Sequence, residues 1–298
     1  MEVVSMSRYP TASLIMSMII FGTIGVFAVE GGLSSIATVF WRCIFASLFL
    51  TGWCFARGLL PDPSFSRSLA LRAAFGGLCN IGSSVALFGA FQVVTISTAT
   101  IVYHVQPFFV VLIGVTFLKE RVEPFQVAWI TIAFVGVILA TGVFSSDGAL
   151  DLTWAGGVGL SVLAALLYAI GTILGKELGD QRPEITTLIQ TVVGFILLAP
   201  FANVSQHVPM QSWGWLIGLG VIHTGIAYVL MYSAYPRLST PVIGVLAFIY
   251  PVVAILLDWL FYGKRIGWWQ AAGISLIGLA TMGVRLGWRV PRPPRSVA

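Results

Sequence analysis

Few side chains in this sequence could do chemistry, and most of those stand inside long apolar runs. His104 lies one helical turn before Pro107, with Tyr103 beside it, and Thr224, Tyr228 and Tyr232 recur at intervals of four with His223 next to the first. Asn80 and Ser84 are four apart, Tyr168 and Thr172 form a similar pair, and Tyr250 precedes Pro251. Four-residue spacing puts each set on one face of a helix. A polar face at membrane depth is costly unless it meets protein or water, so such stripes mark a solute pathway or a structural seam. His104 either titrates near neutral pH and changes partners, or donates one ring N–H to a backbone carbonyl and stays neutral; His223 leaves the same two options.

Pro107 and Pro251 each remove a backbone hydrogen bond and free the carbonyl four residues earlier, at Tyr103 and Ala247. In lipid that carbonyl must be covered by protein or face a water-filled cavity, so the prolines are either simple kinks or the flanks of a binding cavity. Asp258 is the carboxylate placed inside a predicted span, close to the end of its helix, where a hydrated role competes with proton coupling. Arg42 lies about two turns inside its helix and either snorkels to the interface or pairs with a substrate carboxylate. Glu30 neutralises it if the first two helices are neighbours. Trp41 is deeper than the other tryptophans, most of which mark helix ends as interfacial anchors.

The solvent for these residues follows from composition. With 58% hydrophobic residues, 9% charged residues and a mean hydropathy of +0.95, no water-soluble surface can be built, so the chain is an integral membrane protein. A helix needs about 20 apolar residues to cross the hydrocarbon core. Charges divide the chain into ten such stretches, roughly 11–29, 36–55, 70–92, 97–118, 126–143, 156–175, 185–202, 213–235, 241–262 and 267–286. The first is too long for a signal-peptide h-region and leads to no small-x-small cleavage site, so it counts as a helix. With the N-terminus in the cytoplasm, thirteen Lys and Arg fall inside and two, Lys264 and Arg265, outside. Both termini are then cytoplasmic, and the net charge of +5 reflects this asymmetry with no nucleic-acid partner required. The basic tail 287–298 touches lipid headgroups.

Shifting the sequence by 144 residues aligns Pro107 with Pro251, Leu112 with Leu256, Phe117 with Phe261, Arg121 with Arg265 and Gln126 with Gln270. Scarce residue types recurring at fixed separations indicate an internal repeat. The two copies cover 11–143 and 156–286. Five helices per copy is an odd number, so the second copy is inverted. The expected fold is therefore all-α, with ten transmembrane helices as two inverted five-helix repeats, a design suited to alternating access.

Phe117-Leu118-Lys119-Glu120-Arg121-Val122 followed by Gln126, and its echo Phe261-Tyr262-Gly263-Lys264-Arg265-Ile266 followed by Gln270, resemble the EamA family of the drug/metabolite transporter superfamily. Phe40-Trp41-Arg42 is similar to the family's aromatic-Arg pattern, and Gly220 to Tyr228 occupies the place of its Gly-x-x-x-Thr-x-x-x-Tyr segment. Lys264 departs from the family, which usually carries Glu there. The resemblance covers nearly the whole chain and is strongest to bacterial amino-acid and metabolite exporters of the YddG kind. It implies secondary transport, with amino acids as the first substrate guess and export as the direction, across the bacterial inner membrane.

The expected cavity is built from Trp41, Asn80, Ser84, Tyr103, His104, Pro107, Tyr168, His223, Thr224, Tyr228, Tyr250 and Pro251, with Arg42 and Asp258 as charge or coupling residues. Few charges with several Tyr and His suit a small zwitterionic or neutral metabolite; a dianionic nucleotide sugar needs paired cations that the spans do not supply. No cofactor is expected. Three His without carboxylate spacing hold no metal, and Cys43, Cys54 and Cys79 read as small apolar residues. No phosphate-cradling Walker string, His-Glu-x-x-His string or pair of buried Asp supports an enzyme or an ATP-driven pump. A nonselective channel or a membrane scaffold is the alternative. Glycines near 136–157 and 273–283 make small-residue edges for close helix packing, either within the chain or across a homodimer.

Overall fold

A computed structural model describes residues 9–60, 62, 66–94, 99, 102–141, 152–179, 181–203, 208–262 and 267–288. Among them there is no strand, and the helices form ten consecutive rods. These are α1 (Pro10–Gly22 continued by Ile24–Glu30), α2 (Ser35–Ala56), α3 (Arg67–Ala90), α4 (Gln106–Phe117) and α5 (Pro124–Thr141) in the first half. The second half holds α6 (Leu152–Glu177), α7 (Pro183–Leu198), α8 (Met210–Gly218, Leu219–Ile226 and Ala227–Ala234), α9 (Thr240–Leu246 and Ile249–Tyr262) and α10 (Trp268–Arg285). Six of the described rods are long and apolar enough to cross a membrane: α1, α2, α3, α6, α8 and α9. The apolar helices α4, α5 and α7 are shorter.

Sequence explains where the rods break. Ser34 and Ser66 accept from the backbone N–H groups of Ala37 and Leu69, starting α2 and α3. The predicted helix through 97–118 is interrupted at His104 and Val105, and α4 proper begins with Pro107 in its first turn. In the second half Ala247 and Phe248 form the matching turn, just ahead of Pro251. Proline cannot donate to the preceding turn and its ring excludes helical geometry before it, so both prolines start new helical segments. They divide their helices, a stronger effect than a kink. At Leu219–Ile226 the backbone widens to a π-helix, and the Thr224 hydroxyl donates to the Leu219 carbonyl at 3.0 Å, covering a carbonyl five residues back.

The main packing pairs are α3–α6, α5–α10, α2–α7, α2–α8, α3–α7, α1–α8, α4–α6, α1–α9 and α4–α9. If each helix is exchanged for its counterpart in the other half, this set maps onto itself. Thus α3–α6 becomes α8–α1, α2–α8 becomes α7–α3, and α4–α6 becomes α9–α1, while α2–α7, α4–α9 and α5–α10 are self-paired. Hydrogen bonds follow the same rule. Ser47 donates to Thr191 at 2.9 Å, a pair 144 residues apart, and Ser83 to the Ala164 carbonyl occupies the place that Ser17 to the Ala227 carbonyl holds on the other side. Of the expected glycine edges, Gly136 lies against the Gly273 carbonyl and Gly283 against Trp129, so both serve packing of α5 on α10 within the chain.

At one end the halves are tied by polar contacts. Glu120, in the turn after α4, accepts from Lys176 at the end of α6 and from the Thr240 backbone N–H and hydroxyl at 3.1 and 2.9 Å. Its carboxylate thereby caps α9. Arg182, just beyond Lys176, pairs with Asp62 at 3.4 Å and donates to the Leu59 carbonyl. Burial raises the Glu120 pKa, but the bonds from Lys176 and Thr240 outweigh it and hold the carboxyl below its ordinary value. Because the folded value is depressed, this stabilisation is present above the ordinary carboxylate range and is lost as pH falls through the folded value. We expect Glu120→Gln to cost about 1 kcal/mol at neutral pH, and the gap from wild type to close on acidification. Thermal unfolding in detergent across a pH series checks both.

Candidate functional site

At the junction of α2, α3, α7 and α8 a narrow gap is lined by Arg42, Cys43, Gly77, Asn80, Ile81, Gln190, Thr191, Thr224 and Tyr228. Its free volume is about 10 Å³, room for about one water molecule. Both halves contribute. The residues come together because glycines let the helices interlock: a Cβ on Gly171 would meet Asn80 Oδ1 at 2.5 Å, and one on Gly77 would meet the Gln190 Cα at 2.7 Å.

A continuous hydrogen-bond network runs through the gap's walls. The Tyr232 hydroxyl donates to Gln190 Oε1 at 2.8 Å, and Asn80 Nδ2 donates to the Tyr232 oxygen at 2.7 Å and to Gln190 Oε1 at 3.3 Å. Arg42 donates to Ser84 at 3.0 Å, and Ser84 in turn donates to the Asn80 carbonyl. Arg42 is 3% exposed, so it does not snorkel. Glu30 is exposed and makes no ion pair with it. Nε of Arg42 and Nε2 of Gln190 have no hydrogen-bond partner.

Aromatic side chains extend this network toward the helix breaks. The Tyr168 and Tyr235 hydroxyls are 3.0 Å apart, and Tyr235 packs edge-on against Tyr232 at 5.8 Å. Tyr103 meets Tyr168 at 6.0 Å, while His104 is fully buried and stacks on Tyr250 at 5.5 Å. Pro107 faces Gly244 where α4 crosses α9.

The predicted cavity thus divides. Arg42, Asn80, Thr224 and Tyr228 line the gap and Ser84 braces it. Tyr103, His104, Tyr168 and Tyr250 form the aromatic extension, with Pro107 and Pro251 at the breaks. Two residues fall elsewhere. His223 points to α1, with Nε2 2.7 Å from the Thr23 hydroxyl and Nδ1 3.3 Å from the Gly218 carbonyl. One position along a helix, even a π-helix, is a rotation of roughly a quarter turn, enough to carry it off the face of Thr224. Trp41 packs edge-on against Trp213 at 4.9 Å, in an aromatic cluster with Phe40 and Phe45. The side chain of Asp258 lies outside the described residues.

Sequence reasoning missed Gln190 and Thr191 on α7 and Tyr235 in the 3-10 turn that follows α8. A signal existed: Thr186, Thr187, Gln190 and Thr191 recur at helical spacing and are all buried. Among the described residues no three His, Cys, Asp or Glu side chains gather as a metal site. Cys43, Cys54 and Cys79 are free and buried.

A helical membrane bundle of two matching halves, with a polar gap buried at their junction, has the architecture of a membrane transporter. The EamA-like transporter family matches residues 11–142 and again 155–286, and the chain belongs to that family. It is 37% identical over 279 residues to the uncharacterized transporter YxxF of Bacillus subtilis, covering 91% of this chain and 88% of that protein. An uncharacterized transporter of Archaeoglobus fulgidus is 27% identical over 95% of this chain and 97% of its own. The threonine/homoserine exporter RhtA of Salmonella typhimurium is 24% identical over 74% of this chain and 73% of its own. A solved crystal structure superposes with a TM-score of 0.82, covering 94% of this chain and 97% of its own at 18% identity, a likeness of fold alone.

Tyr232 is both donor and acceptor in the network, so Tyr232→Phe removes two of the three bonds among Tyr232, Asn80 and Gln190 and leaves only the 3.3 Å contact between the two amides. We expect a loss of about 1–2 kcal/mol in unfolding free energy, read by thermal denaturation in detergent, whereas Trp41→Phe leaves the network intact.

Proposed function

We propose that this chain is a secondary transporter that moves small metabolites, amino acids first among them, across the bacterial inner membrane by alternating access, in the direction of export. The observation that carries the reading is the polar gap enclosed between two exchangeable halves. Two similar halves can adopt one packing that opens the gap to one side and the exchanged packing that opens it to the other. The name of the RhtA relatives supports amino acids and export.

In this reading the chain crosses the membrane ten times, with the second repeat inverted and both termini cytoplasmic. The loops that carry Glu120, Lys176, Arg182 and Asp62 then lie on the cytoplasmic side. Their ties close that end, and opening inward breaks them. The half-buried Tyr103, Tyr168, Tyr228 and Tyr250 offer hydroxyls and ring faces to a solute that enters.

Uptake and counterflow of radiolabelled amino acids into liposomes holding the purified protein test this. A carrier gives saturable flux that unlabelled substrate on the far side accelerates. A nonselective channel gives flux that neither saturates nor is trans-stimulated, and a scaffold gives none.

A further inference from the structure

Arg42 has more donors than the protein supplies with acceptors. A guanidinium carries five N–H donors and no acceptor. Here it bonds Ser84 and also reaches the Tyr228 hydroxyl and the Cys43 thiol, all neutral, while its Nε has no partner and it is 3% exposed. Among the described residues the ion pairs, Lys176–Glu120 and Arg182–Asp62, do not involve it, and no carboxylate lines the gap. A buried charge left this way is costly unless a counter-charge arrives.

The neighbours meet only part of this demand, and none of them is charged. Ser84 gives its own proton to the Asn80 carbonyl, so toward Arg42 it can only accept. The amide nitrogen of Asn80 is committed to Gln190 and Tyr232, and Gln190 Oε1 is taken by both. Thr224 spends its proton on the Leu219 carbonyl. Gln190 Nε2 adds a second buried donor without a partner. The Tyr228 hydroxyl lies beside Arg42 and Ser84 on the same gap. The site lacks an anion, not a cation.

We propose that the gap, which holds about one water here and widens when the halves part, is a carboxylate-binding site in which Arg42 pairs with the carboxylate of the transported solute, flanked by Tyr228. This rests on the transport reading and narrows it. The carboxylate is the required group, whereas an α-ammonium meets only neutral oxygens and is dispensable. Amino acids and their 2-hydroxy-acid counterparts therefore enter, and amides, esters and decarboxylated amines do not. Arg42 is a specificity-determining residue.

The test uses the full-length protein in liposomes. Entry of labelled threonine is competed by unlabelled threonine, 2,3-dihydroxybutyrate, threoninamide and 1-amino-2-propanol, and the same matched sets are made for whichever amino acid carries the largest saturable flux. In wild type the two acids compete and the amide and amine do not. Arg42→Gln raises the half-saturation concentration by about 10- to 100-fold with a smaller change in maximal rate, and erases the preference for acid over amide. Arg42→Lys keeps the preference at weaker affinity, because it retains the charge and loses the planar fork; it also decides the matter if Arg42→Gln does not insert. Equal competition by acid and amide in wild type overturns the assignment, as does an Arg42→Gln protein with unchanged half-saturation and a lower rate. Saturable flux restricted to solutes without a carboxylate overturns this inference and leaves the transport reading standing. No saturable flux of any solute removes both.

Discussion

A cationic side chain inside an apolar bundle has to be solvated by the protein or by what the protein binds, and the centre of this fold is arranged around that constraint. Arg42 reaches Ser84, Ser84 reaches the Asn80 backbone, and the Asn80 side chain reaches Gln190 and Tyr232. Four helices must hold register for this chain of bonds to exist. They do so where side chains vanish: Gly77 admits Gln190, Gly171 admits Asn80, and Gly175 admits the Tyr232 ring. Without a hydrophobic force between helices in lipid, close packing and buried hydrogen bonds are the available cohesive terms, and here the same residues supply both.

The second organising fact is the exchange of halves. Pro107 and Pro251 break α4 and α9 at matching places, and the packing of one half on the other is unchanged when they are swapped. The symmetry is incomplete where charge matters. Glu120 ties the turn after α4 to α6 and α9, yet the position 144 residues later is Lys264. Arg42 has Thr186 at its matching position. The backbone repeats, while Glu120 and Arg42 are particular to the first half.

Much of this was legible in the sequence because the membrane imposes simple rules. Scarce residues at a constant offset exposed the repeat, and interval-four polar stripes found Asn80, Ser84, Thr224 and Tyr228. Less legible was rotation about each helix. His223 and Thr224 are neighbours in sequence but face α1 and the gap, respectively, and a π-helical stretch shifts their phase from an ideal α-helix. Gln190 shares a polar face with Thr186, Thr187 and Thr191, but nothing local says that this face of α7 packs on both α2 and α3. The fate of Arg42 is likewise a tertiary matter, since snorkelling and burial look alike until the neighbouring helices are in place.

The proposed solute path is the gap between the halves. It is tested most directly by single cysteines at Thr224 and His223, in a background with Cys43, Cys54 and Cys79 replaced, probed with a small charged thiol reagent from each side of the membrane. With solute passing through the gap, the cysteine at 224 reacts from both sides and is protected by transported solute, while the cysteine at 223 is inert. Equal reactivity of the two, or a cysteine at 224 that reacts from one side only and ignores solute, would contradict it.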